Sequence, residues 1–233
     1  MSEPSPTMTV VPLRGLRGMI ASKMHAAAST AAPVTHHAEA DVGALLEAKA
    51  TLARTGAKVS VEDLVLSTVV SALGRHRWLN GRIEDQEIRL EARIHLSVAI
   101  ALADNGLVAP TIFDAQEMDW EAIRAARKDL IDRAGRGQIR VPEMTGGTFT
   151  VSNLGRSRVR FFTPIINAPQ IAILGIGATE DRPRPRDDGT VEWRGGMGLS
   201  LTFDHRAVDG APAAAFLSDL CESIEGFAVG GGT

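Results

Sequence analysis

Residues 197–210 read Met197-Gly198-Leu199-Ser200-Leu201-Thr202-Phe203-Asp204-His205-Arg206-Ala207-Val208-Asp209-Gly210. An apolar strand over 197–203 runs straight into a charged loop, and a closing helix is predicted over 211–226. Upstream, QIAILGIGA at 170–178 reads as a buried strand. The charged, Pro- and Gly-bearing stretch 180–196 reads as an exposed turn between the two. Gly146-Gly147 precedes a further short strand, TFTVS. The last third is therefore β-rich, and the remainder mixes helices with strands.

Leu13, Leu16, Met19, Ile20 and Met24 predict a helix over 13–31, closed by Ala32-Pro33 because a residue before proline resists the helical region. Residues 34–42 read as a strand and 43–54, with Leu45, Leu46 and Leu52, as a helix. Ser60 and Asp63 have the spacing of a cap for a deeply buried helix over 61–75. Over 87–112, Ile94, Leu96, Val98 and Ile100 alternate with His95, Ser97 and Ala99, which signals strands. Asp104-Asn105-Gly106 is turn chemistry. A helix over 119–134 places Trp120, Ile123, Leu130 and Ile131 on one side and ends at Gly135 and Gly137. One α/β domain is expected over 11–227, with a disordered tail at 1–10 and a flexible one at 228–233.

The composition excludes several function classes. The 233 residues carry a net charge of −3 and a single cysteine, Cys221. One cysteine forms no disulfide framework and no Cys-rich metal site, so no metal is expected. Balanced charge gives no footprint for nucleic acid. No run approaches about 20 apolar residues, and no basic-then-apolar leader opens the chain, so the expected location is cytoplasmic, without a membrane partner.

Two stretches carry chemistry. His205 stands where a strand gives way to a loop, and histidine exchanges protons near neutral pH. Asp209 is close enough to orient charge around it, and Gly210 is expected to let the chain turn before the helix. Taken locally, a histidine flanked by charges is more often a surface or structural residue. In TFTVSNLG, Ser152 can donate a hydrogen bond to a developing oxyanion, or Ser152 and Asn153 can simply shape a turn. His36 and His37 are adjacent, so on a strand they face opposite ways and cannot converge on a metal. His95 is expected to be packed, and Cys221 to be a small buried residue. Gly175 and Gly177 lack the third glycine of a dinucleotide fingerprint.

In combination, DHRAVDG, TFTVSNLG about fifty residues earlier and FFTPIINAPQIAILGIGA between them resemble the catalytic domain of the 2-oxo acid dehydrogenase dihydrolipoyl acyltransferases. VPLRGLRGMIASKM, VSVEDLVLSTVVSAL, the LNG at 79–81 and DNGLVAPTI extend the resemblance over residues 11–227. Chloramphenicol acetyltransferase, with its His-x-x-x-Asp-Gly motif, is a more distant relative. The resemblance implies a two-layer chloramphenicol-acetyltransferase-like fold, a mixed sheet packed with helices. It also implies a homotrimer whose active sites lie at subunit interfaces, with histidine and serine from different chains.

His205 is then the general base for the thiol of coenzyme A or of dihydrolipoamide. Ser152 holds the oxyanion, no acyl-enzyme forms, and Asp209 anchors the loop by an ion pair with Arg17. Three departures stand out. Only ten residues precede the core, which leaves no room for lipoyl or subunit-binding domains, so the lipoyl group is expected to come in trans from a lipoyl-domain protein. The ending Ala-Val-Gly-Gly-Gly-Thr offers little apolar surface, so trimers without a larger cage are expected. Lys23 stands where the family often has arginine. Two other readings remain at this level: transfer to a different small-molecule acceptor, and a scaffold core in which catalysis is secondary.

Overall fold

Helix formation begins from local chemistry that the structure, a computed structural model, displays directly. The structure describes residues 8, 10–103, 106–186 and 188–228. Most of both expected tails, and Asp104-Asn105 of the expected turn, lie outside them. Ser60 Oγ accepts from Asp63 N at 3.2 Å and Asp63 Oδ2 accepts from Ser60 N at 2.9 Å. This reciprocal cap starts α3 (Val61–Arg75) where the sequence placed it. Leu64, Val65, Leu66, Val69 and Leu73 on α3 are all at most 1% exposed, so apolar burial on most sides holds the helix in the core.

Before α3 come α1 (Gly15–Thr30), β1 (Pro33–Asp41) and α2 (Gly43–Arg54). After it come β2 (Gly81–Glu84), β3 (Glu87–Leu90), β4 (Leu96–Val98), β5 (Ile100–Ala101), β6 (Leu107–Val108) and β7 (Thr111–Ile112). Then follow α4 (Trp120–Gly135), α5 (Val141–Thr145), β8 (Phe149–Asn153), β9 (Ala172–Pro185), β10 (Val191–Asp204) and α6 (Gly210–Glu225). A six-stranded mixed sheet has the order β1-β10-β9-β8-β4-β7. β8 pairs in parallel with β9 and β4, and the other pairings are antiparallel. Among the described residues no helix is long and apolar enough to cross a membrane.

The two faces of the sheet differ in chemistry. Phe149 of β8 packs against Phe216 of α6 with ring centroids 6.0 Å apart, so this face meets the helical layer. The other face carries Ser97, Thr150, Ser200 and Thr202, each at most 1% exposed. Their hydroxyls are satisfied: Thr202 by Thr35, Ser200 by His37, Thr150 by Gln170 and Ser97 by Thr111. Burial without such partners would cost about 1–3 kcal/mol per group. The segment 154–170 covers part of this face, with Phe162 N donating to Ser200 Oγ at 3.3 Å. Gly175 and Gly177 make that approach possible. A Cβ at 175 would strike the Phe162 ring, and one at 177 would overlap the Arg160 carbonyl. These two glycines serve close packing.

The structure corrects three expectations. The stretch 180–196 is mainly strand: β9 and β10 continue as a ribbon to Pro185 and Val191. Ion pairs along the ribbon, Arg182 with Glu180 and Glu39 and Arg186 with Glu192, let charged strands pair. Ile131 is 38% exposed although Leu130 beside it is buried, because successive helical residues are rotated by about 100°. Finally, β3 lies within the expected strand region 87–112, whereas β2 and α5 had no counterpart in the sequence.

Candidate active site

β10 ends at Asp204, and α6 begins with Asp209 as its N-cap residue. His205 sits in the loop between them with its side chain 46% exposed. Its backbone N donates to Ala32 O at 2.9 Å, its Nδ1 lies 3.7 Å from Asp209 Oδ1, and its ring leans on Phe203 at 5.9 Å. The structure thus brings His205 and Asp209 together, and Asp209 keeps its carboxylate 85% exposed. The i,i+4 spacing from the loop to the N-cap is what sets Asp209 beside His205. Arg17 lies exposed on α1.

Gly210 departs from expectation. It is the first residue of α6, and a Cβ there would meet the His36 ring at an ordinary 3.7 Å. Neither a turn nor lack of space within the chain requires glycine at this position.

Asp204, which the sequence reading passed over, is the hub of the loop. It is 2% exposed, yet Oδ1 accepts from Ala32 N at 3.2 Å and from Arg206 N at 3.0 Å. The Arg206 guanidinium closes on both carboxylate oxygens, Nη2 at 2.6 Å from Oδ2. Burial pushes this carboxyl upward, but the bonds from Arg206 and Ala32 outweigh it and hold the acid below the ordinary aspartate range. The sequence signal was an acid closing an apolar strand two residues before an arginine.

Ser152 stands elsewhere. It lies near the end of β8, half-buried, level with Gly175 on β9. Among the described residues its hydroxyl makes no hydrogen bond. β9 separates β8 from β10. Asp204 N donates to Ile171 O, so the His205 end of β10 is four residues along β9 from the Ser152 level. Two strand spacings and four residue rises separate Ser152 from the His205 loop by on the order of 15 Å. One chain does not bring the two side chains together.

The remaining candidates take structural places. His37 Nδ1 pairs with Ser200 Oγ at 2.9 Å, whereas His36 packs edge-on against Phe203, so the two imidazoles face opposite ways. His95 Nδ1 accepts from Asp114 N at 3.0 Å and packs on Phe113. Burial, with Glu225 and Glu222 nearby, pushes the Cys221 thiol up to about 11, which leaves it protonated and unreactive.

This arrangement has known counterparts. Residues 5–229 match the family model of the 2-oxoacid dehydrogenases acyltransferase catalytic domain. The chain is 36% identical over 220 residues to the dihydrolipoyllysine-residue acetyltransferase component of the acetoin cleaving system of Bacillus subtilis, covering 92% of this chain and 55% of that protein. It therefore spans about half the length of that relative. Among solved structures, a probable dihydrolipoamide acetyltransferase of Listeria monocytogenes superposes with a TM-score of 0.89 at 28% identity, covering 97% of this chain and 98% of that one. The dihydrolipoamide acetyltransferase of Azotobacter vinelandii gives 0.85 at 28%, with the same coverage; there the catalytic roles of a serine, a histidine and an asparagine have been investigated. Chloramphenicol acetyltransferase shares the fold at a TM-score of 0.56 and 16% identity, covering 88% of this chain and 92% of that one. In motif, strand order and extent of match, the chain belongs to the family of 2-oxoacid dehydrogenase acyltransferase catalytic domains.

Proposed function

We propose that this chain is a dihydrolipoyl acyltransferase core that moves an acyl group between coenzyme A and a dihydrolipoyl thiol carried by a lipoyl-domain protein. His205 takes the proton of the attacking thiol. Such a thiol, with a pKa of about 8.5, is little ionised at neutral pH, so a positioned base has a barrier to lower. The thiolate adds to the carbonyl carbon of the acyl thioester. Ser152 Oγ–H donates to the oxyanion of the tetrahedral intermediate. Collapse expels the second thiolate, which recovers the proton from His205. The acyl group passes directly between thiols, with no acyl-enzyme. The Asp209 carboxylate lies 3.7 Å from Nδ1 of this histidine.

The observation that carries this reading is the register of the sheet. Among the described residues the Ser152 hydroxyl has no hydrogen-bond partner, and β9 lies between its strand and the strand that ends at the His205 loop. A shared site then needs two chains, which fits a homotrimer with each active site at an interface.

The test is acyl transfer from acetyl, succinyl and isobutyryl coenzyme A to free dihydrolipoamide. His205→Ala is expected to lower turnover by about 10²–10⁴-fold. Trimers reassembled from His205→Ala and Ser152→Ala chains are expected to regain activity, since some interfaces then carry both intact residues. Failure of the mixed trimers to exceed either parent would sink the interface site. No turnover by the wild-type trimer with any donor would sink the reaction.

A further inference from the structure

The bonds around Asp204 exceed what closing a strand requires, and they converge on one neighbour. Every backbone and side-chain polar atom of Asp204 is used. Its N donates to Ile171 O, its O accepts from Ala207 N and Val208 N, and its carboxylate holds Ala32 N, Arg206 N and the Arg206 guanidinium. Ala32 completes a reciprocal pair: its N–H reaches Asp204 and its carbonyl receives His205 N. His205 is therefore pinned from three directions. The residue before it is anchored to the sheet, the residue after it is tied to the same carboxylate, and its own amide is held by the chain that joins α1 to β1. The imidazole itself takes no part in these bonds and keeps its solvent-facing surface.

We infer that Asp204 and Arg206 are positioning residues for His205, fixing the loop so that the imidazole is presented to the reacting thiols in one orientation. The inference rests on the proposed role of His205 as general base. The physical reason is the sensitivity of proton transfer to placement. A base displaced by about 1 Å loses on the order of 10²-fold in rate, although the binding of both substrates elsewhere is untouched. The carboxylate suits this task better than a backbone group. It accepts from two amides and a forked guanidinium at once, and charge-assisted bonds of this kind are short and directional.

The experiment measures kcat and the KM for acetyl coenzyme A and for dihydrolipoamide in Asp204→Asn, Arg206→Met and Arg206→Lys trimers, with His205→Ala as reference. Ring 15N–1H correlation spectra of His205 follow in each. Asp204→Asn keeps the shape and one acceptor but loses the charge. Its kcat is expected to fall about 10–100-fold with both KM values within about twofold of wild type. The single set of His205 ring signals is expected to broaden or double. Arg206→Met, at a half-exposed position, should give the same pattern more weakly, and Arg206→Lys should recover part of it. A purely structural role would lower the melting temperature and leave kcat of the folded trimer and the ring signals unchanged. That result in Asp204→Asn would overturn the inference, and if that variant does not fold, wild-type kcat in Arg206→Met would do so. Full activity in His205→Ala would instead remove the general-base reading, a separate outcome.

Discussion

The two ends of the proposed site are built in opposite ways. The His205 end is closed: Asp204 has every polar atom bonded, and the loop is tied to Ala32 just before β1 and to Ile171 just before β9 within one chain. The Ser152 end is open: the hydroxyl is half-buried near the end of β8 and makes no bond among the described residues. What surrounds Ser152 is nevertheless rigid. Leu154 N donates to Ile176 O, Asn153 Oδ1 accepts from Gly155 N, and Ser157 caps its own turn through Leu154 O. A base must be held in one orientation, whereas an oxyanion donor needs a fixed backbone and a free hydroxyl. The difference suits a site completed by a second chain.

The sharpest way to break this comparison is Ser152→Ala. Removing a single oxyanion donor should lower kcat by about 10²–10³-fold, with melting temperature unchanged because no hydrogen bond among the described residues is lost. A destabilised variant with normal kcat would show that the hydroxyl is structural after all. A smaller effect, on stability, should follow from Gly177→Ala. The added Cβ overlaps the Arg160 carbonyl, so the covering segment must shift, at about 1–3 kcal/mol. An unchanged urea midpoint would mean that segment 154–170 is not held against the sheet.

The third prediction concerns the entry to β8. Glu143 of α5 is 3% exposed and receives Arg133 and Arg140, whose hydrogen bonds hold its carboxyl well below the ordinary range. With the folded value depressed, the contribution of this group is complete above the unfolded value of about 4.3 and is lost as pH falls toward the folded value. The urea midpoint of the wild type should therefore drop below about pH 4. Glu143→Gln should lose about 2 kcal/mol at pH 7 and show a shallower acid limb. Parallel acid limbs in the two proteins would exclude this pairing as the cause.

Most helices were legible because their signals are local. Ser60 and Asp63 mark the start of α3 three residues apart, and the apolar repeat of α2 sets its limits within one element. Ile131 was misplaced because an apolar residue at the border of a stripe is resolved only by what packs opposite it. The 180–196 ribbon was misread for a related reason. Its charges look like a loop until partners such as Glu39 for Arg182 and Glu192 for Arg186 stand beside them. The candidate site divided along the same line: His205, Ser152 and Asp209 were legible as chemistry within short motifs, whereas Asp204 was not, since its partners Ala32 and Ile171 are distant in sequence.

By itself, then, the sequence determined which side chains carry the chemistry, the resemblance to an acyltransferase family and the course of most helices, all through residues close together along the chain. Only the tertiary structure decided that β9 intervenes between the strands of Ser152 and His205, that Asp209 faces His205, and that a buried carboxylate holds the histidine loop. The reason is physical: caps, periodicity and turns are settled by neighbours a few residues away, but strand order and register are settled by pairings between distant segments.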